Sequence, residues 1–543
     1  MKKFLSILGI ILLPGIILVG CASQPQNQVT GQSQSENVNT ATSQGNSQMN
    51  GLPQALESST VELKNGSTYS LIAGYVNKEI NGNVYKMLAY NHSIPGPILV
   101  VQQGSEITLN LENDTDIPTS LHSHGVRLED KYDGVIDVQQ KQIEPGKTFT
   151  YKIKFPDAGI FWYHPHLNEP YTQSHGLYGV YLVVPNDKNY WSPVNYQMPL
   201  VLNDIAIQNS QTDSFNPKVT NYALMGEFGN VMLVNGSENF QKKFEAGDVV
   251  RFYLVNASNT RVYNLSIPNA KIKLVGGDNG KYEHETWQDH IVLSPSERAI
   301  IEVLFDKAGT YTLQNTNPQK TYNLATFTVI NPEDGNPNYS KTFAVLRDNK
   351  DVITDIDKFR DVFDKKPDKS ITLTMSMSQQ GHMNMMGNNA GQHMMSDGSM
   401  MNNSMMMSND QDPIEWEDTM PMMNTMSTTD SVKWKIVDAE TKKENEDIDW
   451  KFKVGDKVKI KIYNDPNSMH PMQHPIHFHG QRFLVLSTNG VKNTDLVWKD
   501  TVLVPKGATV EILVDMSNPG TWMAHCHIGE HLVSGMMLPF EVQ

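Results

Sequence analysis

Cysteine is almost missing from this chain. Only Cys21 and Cys526 occur in 543 residues, which excludes a disulfide framework and leaves each cysteine needing its own explanation. Basic charge is also short. There are 44 Lys and Arg against 59 Asp and Glu, a net charge of −15, which argues against nucleic acid as a partner and suits cationic metals. Helical periodicity is scarce, so the expected fold is all-β. Long apolar runs are confined to Phe4–Gly20, a stretch broken by Pro14 and shorter than a typical membrane span. A chain of this length exceeds one core, so two to four domains are expected.

The apolar run follows Lys2 and Lys3 and ends Leu18-Val19-Gly20-Cys21. That ending resembles the lipobox of bacterial lipoproteins, which implies a signal peptide over residues 1–21, lipidation of Cys21 and attachment to an extracytoplasmic membrane face. Each buried acyl CH₂ contributes about 0.8 kcal/mol, so several chains hold a protein to a membrane surface. Residues 22–55 are dominated by Gln, Asn, Ser and Thr. They bury too little apolar area to order themselves and read as a polar tether.

The remainder repeats itself three times. Gly104, Gly247 and Gly455 each open an alternating segment that reaches an Asn nine residues later, at Asn113, Asn256 and Asn464. The segments Glu-Ile-Thr-Leu-Asn-Leu, Val-Val-Arg-Phe-Tyr-Leu and Lys-Val-Lys-Ile-Lys-Ile have the period of half-buried strands. Pro145, Pro295 and Pro505 precede further strands, and Gly159, Gly309 and Gly520 lead into aromatic ones. Five residues past those glycines stand His164, Gln314 and His525. The outer copies thus carry a metal-ligating residue where the middle copy carries an amide. The expectation is three consecutive Greek-key β-sandwiches over residues 56–187, 188–345 and 346–543, with the first and third facing each other over a shared site.

Residues 525–536 read His-Cys-His-Ile-Gly-Glu-His-Leu-Val-Ser-Gly-Met. On a strand, His525 and His527 point to one face and Cys526 to the other. A thiolate joined by imidazole, here His531, and by an axial thioether, Met536, has the donor types of a blue-copper electron-transfer centre. Histidines cluster in three other places: His122-Ser123-His124, His164-Pro165-His166, and His474-Pro475-Ile476-His477-Phe478-His479. One His-x-His pair is weak evidence for a metal; four, two near each end, are not, and neutral imidazole suits copper.

In order and spacing these motifs resemble those of the three-domain multicopper oxidases, the laccase and cuprous-oxidase family, over residues 55–543. The resemblance implies cupredoxin-like domains and four copper ions. Type 1 copper takes His474, Cys526, His531 and Met536. Type 2 takes His122 and His477. The type 3 pair takes His124, His164, His166, His479, His525 and His527. Electrons pass from type 1 through Cys526, His525 and His527 to the trinuclear cluster, where dioxygen becomes water. Reducing dioxygen consumes protons. Asp133, nine residues after His124, matches an acid near the cluster in bacterial relatives. Where a second acid often follows His531, this chain has Leu532, and Glu530 is the nearest substitute, standing as either a proton-relay group or a solvated carboxylate.

Residues 375–426 hold sixteen of the 28 methionines, including Met385, Met386, Met394 and Met395. No period organises them, so no core element is expected there. Thioethers are soft, neutral ligands that select Cu(I), and similar segments occur in copper-resistance cuprous oxidases. Met469, His470 and Met472, just before His474, are further Cu(I)-ligand candidates, and Met472 occupies a position where those relatives carry a substrate-copper Met. The sequence reading is a monomeric enzyme that oxidises Cu(I) to Cu(II) with dioxygen, in copper tolerance. Its rivals are a phenol-oxidising laccase, an Fe(II) or Mn(II) oxidase, and a non-enzymatic copper store or chaperone.

Overall fold

The computed structural model describes residues 51–208, 211–212, 220–332, 337–378 and 412–543, with the backbone of the short strands Gln392–Met394 and Met400–Asn402. Cys21, most of the tether, and the side chains of Met385, Met386, Met394 and Met395 lie outside the described residues.

The described chain forms three pairs of sheets and two small two-stranded ones. The first pair sets a five-stranded sheet (Thr60–Leu63, Ile98–Gln102, Gly179–Val184, Gly159–His164, His122–His124) against a four-stranded one (Asn83–Tyr90, Thr68–Ile80, Glu106–Asn113, Thr148–Lys154). The second and third pairs each combine a six-stranded and a five-stranded sheet. Alternation explains the packing. Ile107, Leu109 and Leu111 enter the first core, Val250, Phe252 and Leu254 the second, and Val458, Ile460 and Ile462 the third. Asp248–Asn256 is buried on both faces. Its other face contributes Tyr253 and Val255 to a cluster with Ile160 and Trp162 of the first sandwich.

The Gly-to-Asn repeat has a physical basis. Gly104, Gly247 and Gly455 turn the chain at φ 84°, 99° and 91°, a left-handed conformation open to glycine at little cost. The three asparagines are buried, and each side-chain amide bridges carbonyls from two separate stretches of chain. Asn113 Nδ2 donates to Ile117 O and Ile143 O, Asn256 Nδ2 to Arg261 O and Leu293 O, and Asn464 Nδ2 to Met472 O and Val504 O. Each sandwich is closed by the same corner.

The same strand pair also recurs at one position in each sandwich. His122 lies opposite His164 in the first, and His477 opposite His525 in the third; in the second, Ser266 lies opposite Gln314. Among the described residues no helix is long and apolar enough to cross a membrane.

The Met-rich segment is more ordered at its margins than its composition implies. Met375 is a core residue of the strand Lys369–Met377, alternating inward with Ile371 and Leu373. At the other end Pro421–Met426 is a helix. Its residues Met422 and Met426 are exposed, while Met423 and the preceding Met420 pack on the third core. Asn424 accepts from Met225 N at 3.0 Å and donates to Gly226 O at 2.9 Å. Ser427 Oγ accepts from Leu224 N at 2.9 Å. These bonds tie the end of the segment to the second sandwich's chain.

Candidate functional site

Cys526 ends the strand Gly520–Cys526, and the chain continues into the short helix Gly529–Val533, which carries His531. Cys526 Sγ lies 3.6 Å from His474 Nδ1 and 3.7 Å from His531 Nδ1, and the two nitrogens are 3.3 Å apart. All three side chains are buried, as is Met536, whose carbonyl accepts from Cys526 N at 3.1 Å. Burial pushes the thiol well above its ordinary range and lowers His474 to about 3. Both imidazoles are therefore neutral donors, and the thiol has to lose its proton to a metal. Trp434 lies against His531 with ring centroids 4.1 Å apart and donates its indole N–H to Ala223 O.

On the opposite face of that strand, eight buried histidines converge. Their ligand atoms form three sets, each within 4.8 Å: His122, His124, His477; His124, His164, His527; and His166, His479, His525. Four of the sequence-predicted cluster ligands come from the first sandwich and four from the third.

In five of these rings the nitrogen facing away from the cluster is held, whereas neither ring nitrogen of His527 has a hydrogen-bond partner. His122 Nδ1 bonds Asp133 O, His164 Nδ1 bonds Pro165 O, His477 Nδ1 bonds Asp500 O, His479 Nδ1 bonds Asp133 Oδ2 and His525 Nδ1 bonds Cys526 O, all at 2.8–2.9 Å. Buried and without a hydrogen-bond partner are His122 Nε2, His124 Nδ1, His164 Nε2, His166 Nε2 and His477 Nε2. One nitrogen fixed by an outer partner while the other points inward is the arrangement of metal-ligating imidazoles. Burial, with like-charge neighbours, keeps His124, His164, His166, His479 and His527 far below their ordinary pKa, hence neutral. The donors fit copper.

The acids divide. Asp133 is fully buried and joins the cluster through His122 and His479. Glu530 is not a solvated carboxylate. It is fully buried, and its oxygens accept from Asn259 Nδ2 at 2.7 and 2.8 Å and from Glu227 N at 3.1 Å, groups of the second sandwich rather than the cluster. Burial raises it to about 7. Glu169 is an acid that sequence reasoning missed. It lies 3.4 Å from His166 Nδ1, and neither carboxylate oxygen has a hydrogen-bond partner; burial raises it to about 8. Its one signal in the sequence is its place three residues after His166.

Of the Cu(I)-ligand candidates, Met469 is 53% exposed and Met472 is fully buried in the third core. His470 keeps a buried Nε2 without a hydrogen-bond partner, and burial together with Lys506 lowers its pKa to about 4.

Three cupredoxin-like sandwiches, a thiolate–imidazole centre in the third and a histidine cluster shared by the first and third define a copper-dependent oxidoreductase. Three family models, each described as multicopper oxidase, match residues 73–188, 187–334 and 415–543. The chain belongs to the multicopper oxidases. It is similar to multicopper oxidase mco of Staphylococcus aureus, 27% identical over 469 residues and 84% of each chain. It is also similar to copper resistance protein A of Escherichia coli, 23% identical over 88% of this chain and 93% of that protein. A multi-copper oxidase from Pseudomonas thermotolerans has a crystal structure with TM-score 0.62 and 26% identity, covering 89% of this chain and 100% of that one. Enzymes of this family use dioxygen and a reducing substrate.

Proposed function

We propose that this enzyme oxidises Cu(I) to Cu(II), coupled to the four-electron reduction of dioxygen to water, and serves copper tolerance. The observation that carries this reading is the position of the Met-rich segment's end. Met420 and Met423 pack on the core that holds Cys526 and Met536, while Met422 and Met426 on the same short stretch face solvent. Soft ligands therefore stand both at the surface and against the core of the sandwich that carries the thiolate centre.

In this reading His474, Cys526, His531 and Met536 hold the type 1 copper, and His122 and His477 the type 2. The type 3 pair is held by His124, His164, His166, His479, His525 and His527. When bound, the four coppers supply one-electron acceptance from the substrate and storage of the four electrons that dioxygen takes up. The peptide links of Cys526 to His525 and His527 provide the covalent route between the two centres. Asp133 orients His122 and His479 and accepts and passes protons beside the cluster. Glu169, protonated at neutral pH by its burial, is a second proton donor. Glu530 acts instead by holding the helix that carries His531. Trp434 lying against His531 keeps bulky donors from that ring, which favours a metal-ion substrate over phenols. His470, Met469 and Met472 extend the Cu(I) route. Cys21 anchors the monomer to an extracytoplasmic membrane face.

The test is steady-state oxidation of Cu(I), Fe(II) and dimethoxyphenol by one preparation of the full enzyme and of a variant lacking residues 379–411. That deletion spares the strand Lys369–Met377 and the helix Pro421–Met426. The expected result is a fall in Cu(I) turnover at limiting copper, a rise with the phenol, and unchanged blue absorption. A variant that oxidises limiting Cu(I) faster than the parent would overturn the assignment.

A further inference from the structure

The second sandwich supplies no cluster ligand, yet the strand Arg298–Phe305 begins with a fully buried arginine that reaches the cluster's edge. Arg298 Nη1 donates to Asp500 Oδ1 at 2.6 Å, and Nη2 donates to Asp500 Oδ2. Asn279, also of the second sandwich, donates to the same Oδ2 at 3.0 Å. The other guanidinium hydrogens reach carbonyls: Ile160 O in the first sandwich, and Ser296 O and Asp278 O in the second. Asp500 Oδ1 in turn lies 3.1 Å from His124 Nε2, and the Asp500 carbonyl lies 2.9 Å from His477 Nδ1. Thr501 Oγ1 is 3.2 Å from each of those two nitrogens. One aspartate of the third sandwich, its carboxylate gripped by the second, thus meets His124 of the first through Oδ1 and His477 of the third through its main-chain carbonyl, with Oδ1 3.5 Å from His477 Nδ1.

A buried ion pair is weak evidence for stability, because desolvation consumes most of the Coulomb gain. The geometry here does something more specific. A bidentate guanidinium fixes both the position and the plane of a carboxylate. A carboxylate only accepts, so His124 Nε2 carries the proton, and the lone pair is left on Nδ1, the nitrogen that has no hydrogen-bond partner and faces the cluster. His477 is held in the same sense, with Nδ1 donating outward and Nε2 turned in.

We propose that Arg298 is a positioning residue for the copper cluster: through Asp500 it sets the tautomer and orientation of His124 and His477, so the sandwich without ligands sets the geometry between the two that have them. The inference rests on the cluster's holding copper. A parent enzyme without a type 2 electron paramagnetic resonance signal would fail that reading before any variant is compared.

The test is Arg298→Met and Arg298→Lys in the full copper-loaded chain. Copper per chain, type 2 resonance, the near-ultraviolet shoulder of the type 3 pair, blue absorption and melting are each recorded. Arg298→Met is expected to weaken copper retention at the cluster by on the order of 10- to 100-fold, as loss of outer-shell support does, while blue absorption persists. Arg298→Lys is expected to fall between. Full copper with unaltered type 2 and type 3 signals in Arg298→Met overturns the proposal, as does loss of blue absorption in step with the cluster signals. Should Arg298→Met fail to fold, Asn279→Ala decides. It removes one donor from Asp500 and is expected to shift the type 2 hyperfine splitting at full copper content; an unshifted signal overturns the proposal.

Discussion

The second sandwich and its two neighbours share a strand pair, a glycine turn and an asparagine corner, and they differ in what the strand pair carries. Where the first sandwich sets His122 against His164 and the third His477 against His525, the second sets Ser266 against Gln314. The fold tolerates either filling, because its corners and cores rest on the asparagines and the alternating apolar residues. Metal chemistry is thus a graft on the scaffold. The second sandwich has nonetheless kept buried polar groups, and they point outward to its neighbours. Arg298 grips Asp500, Asn259 holds Glu530 beside His531, and Arg261, anchored by Asp204 of its own sandwich, pairs with Glu417 near the end of the Met-rich segment. In the proposed reading the outer sandwiches supply the copper donors and the middle one supplies their alignment.

The strongest way to break that division is at the thiolate. Cys526→Ser removes the one soft anionic donor and leaves all eight cluster histidines in place. The expected outcome is complete loss of blue absorption and of oxygen uptake with any reductant, with copper still bound at the cluster. A Cys526→Ser protein that stays blue or keeps consuming dioxygen would contradict the covalent route between the centres.

A smaller effect is expected at Glu169, which belongs to the first sandwich alone. Removing a positioned proton donor typically costs about 10²- to 10⁴-fold in rate, so Glu169→Gln should slow dioxygen reduction with little change in substrate KM. Its sign in stability is opposite. Burial raises Glu169 from 4.5 to about 8 in the folded chain, so the folded state binds the proton more tightly than the unfolded one. That contribution is complete below about 4.5 and is lost as pH rises towards 8. The amide in the Glu169→Gln variant does not titrate and carries no such dependence. Copper-free Glu169→Gln should therefore melt increasingly above the copper-free parent between pH 5 and 8, at about 1.36 kcal/mol for each tenfold change in proton affinity. Parallel melting curves across that range would show that the carboxyl is not held protonated by the fold.

What the sequence made legible, and what it hid, follows the same line. The histidines and Cys526 were readable because strand alternation fixes which face each one takes, over spacings of two residues. The triplication was readable because each turn and corner needs the same residue at the same offset. Asp500 and Arg298 were not readable, because their meaning lies in contacts across 202 and 376 residues of chain. Glu530 was read as a proton-relay or surface group, since nothing local reveals that Asn259 lies against it. Met375 was hidden by its methionine-rich surroundings, although its alternation with Ile371 and Leu373 is an ordinary strand period.

The finest test of the comparison uses the corners themselves. Asn256 and Asn464 perform the same structural task, bridging two and three carbonyls respectively that burial would otherwise leave unsatisfied, at about 1–3 kcal/mol for each lost partner. Replacing either by Ala should therefore destabilise its own sandwich, by about 2 kcal/mol or more. Their consequences for copper should differ. Asn464 Nδ2 holds the carbonyl of Met472, two residues before His474, at 2.7 Å. Asn256 holds Arg261 O and Leu293 O, on stretches of the second sandwich that carry no cluster histidine. Asn464→Ala is expected to shift the blue absorption and the potential of the thiolate centre, while Asn256→Ala lowers the melting temperature and leaves both where they were. Equal spectral shifts from the two substitutions would mean that the second sandwich transmits strain to the thiolate centre as strongly as the third, and that scaffold and site are not separable in this enzyme.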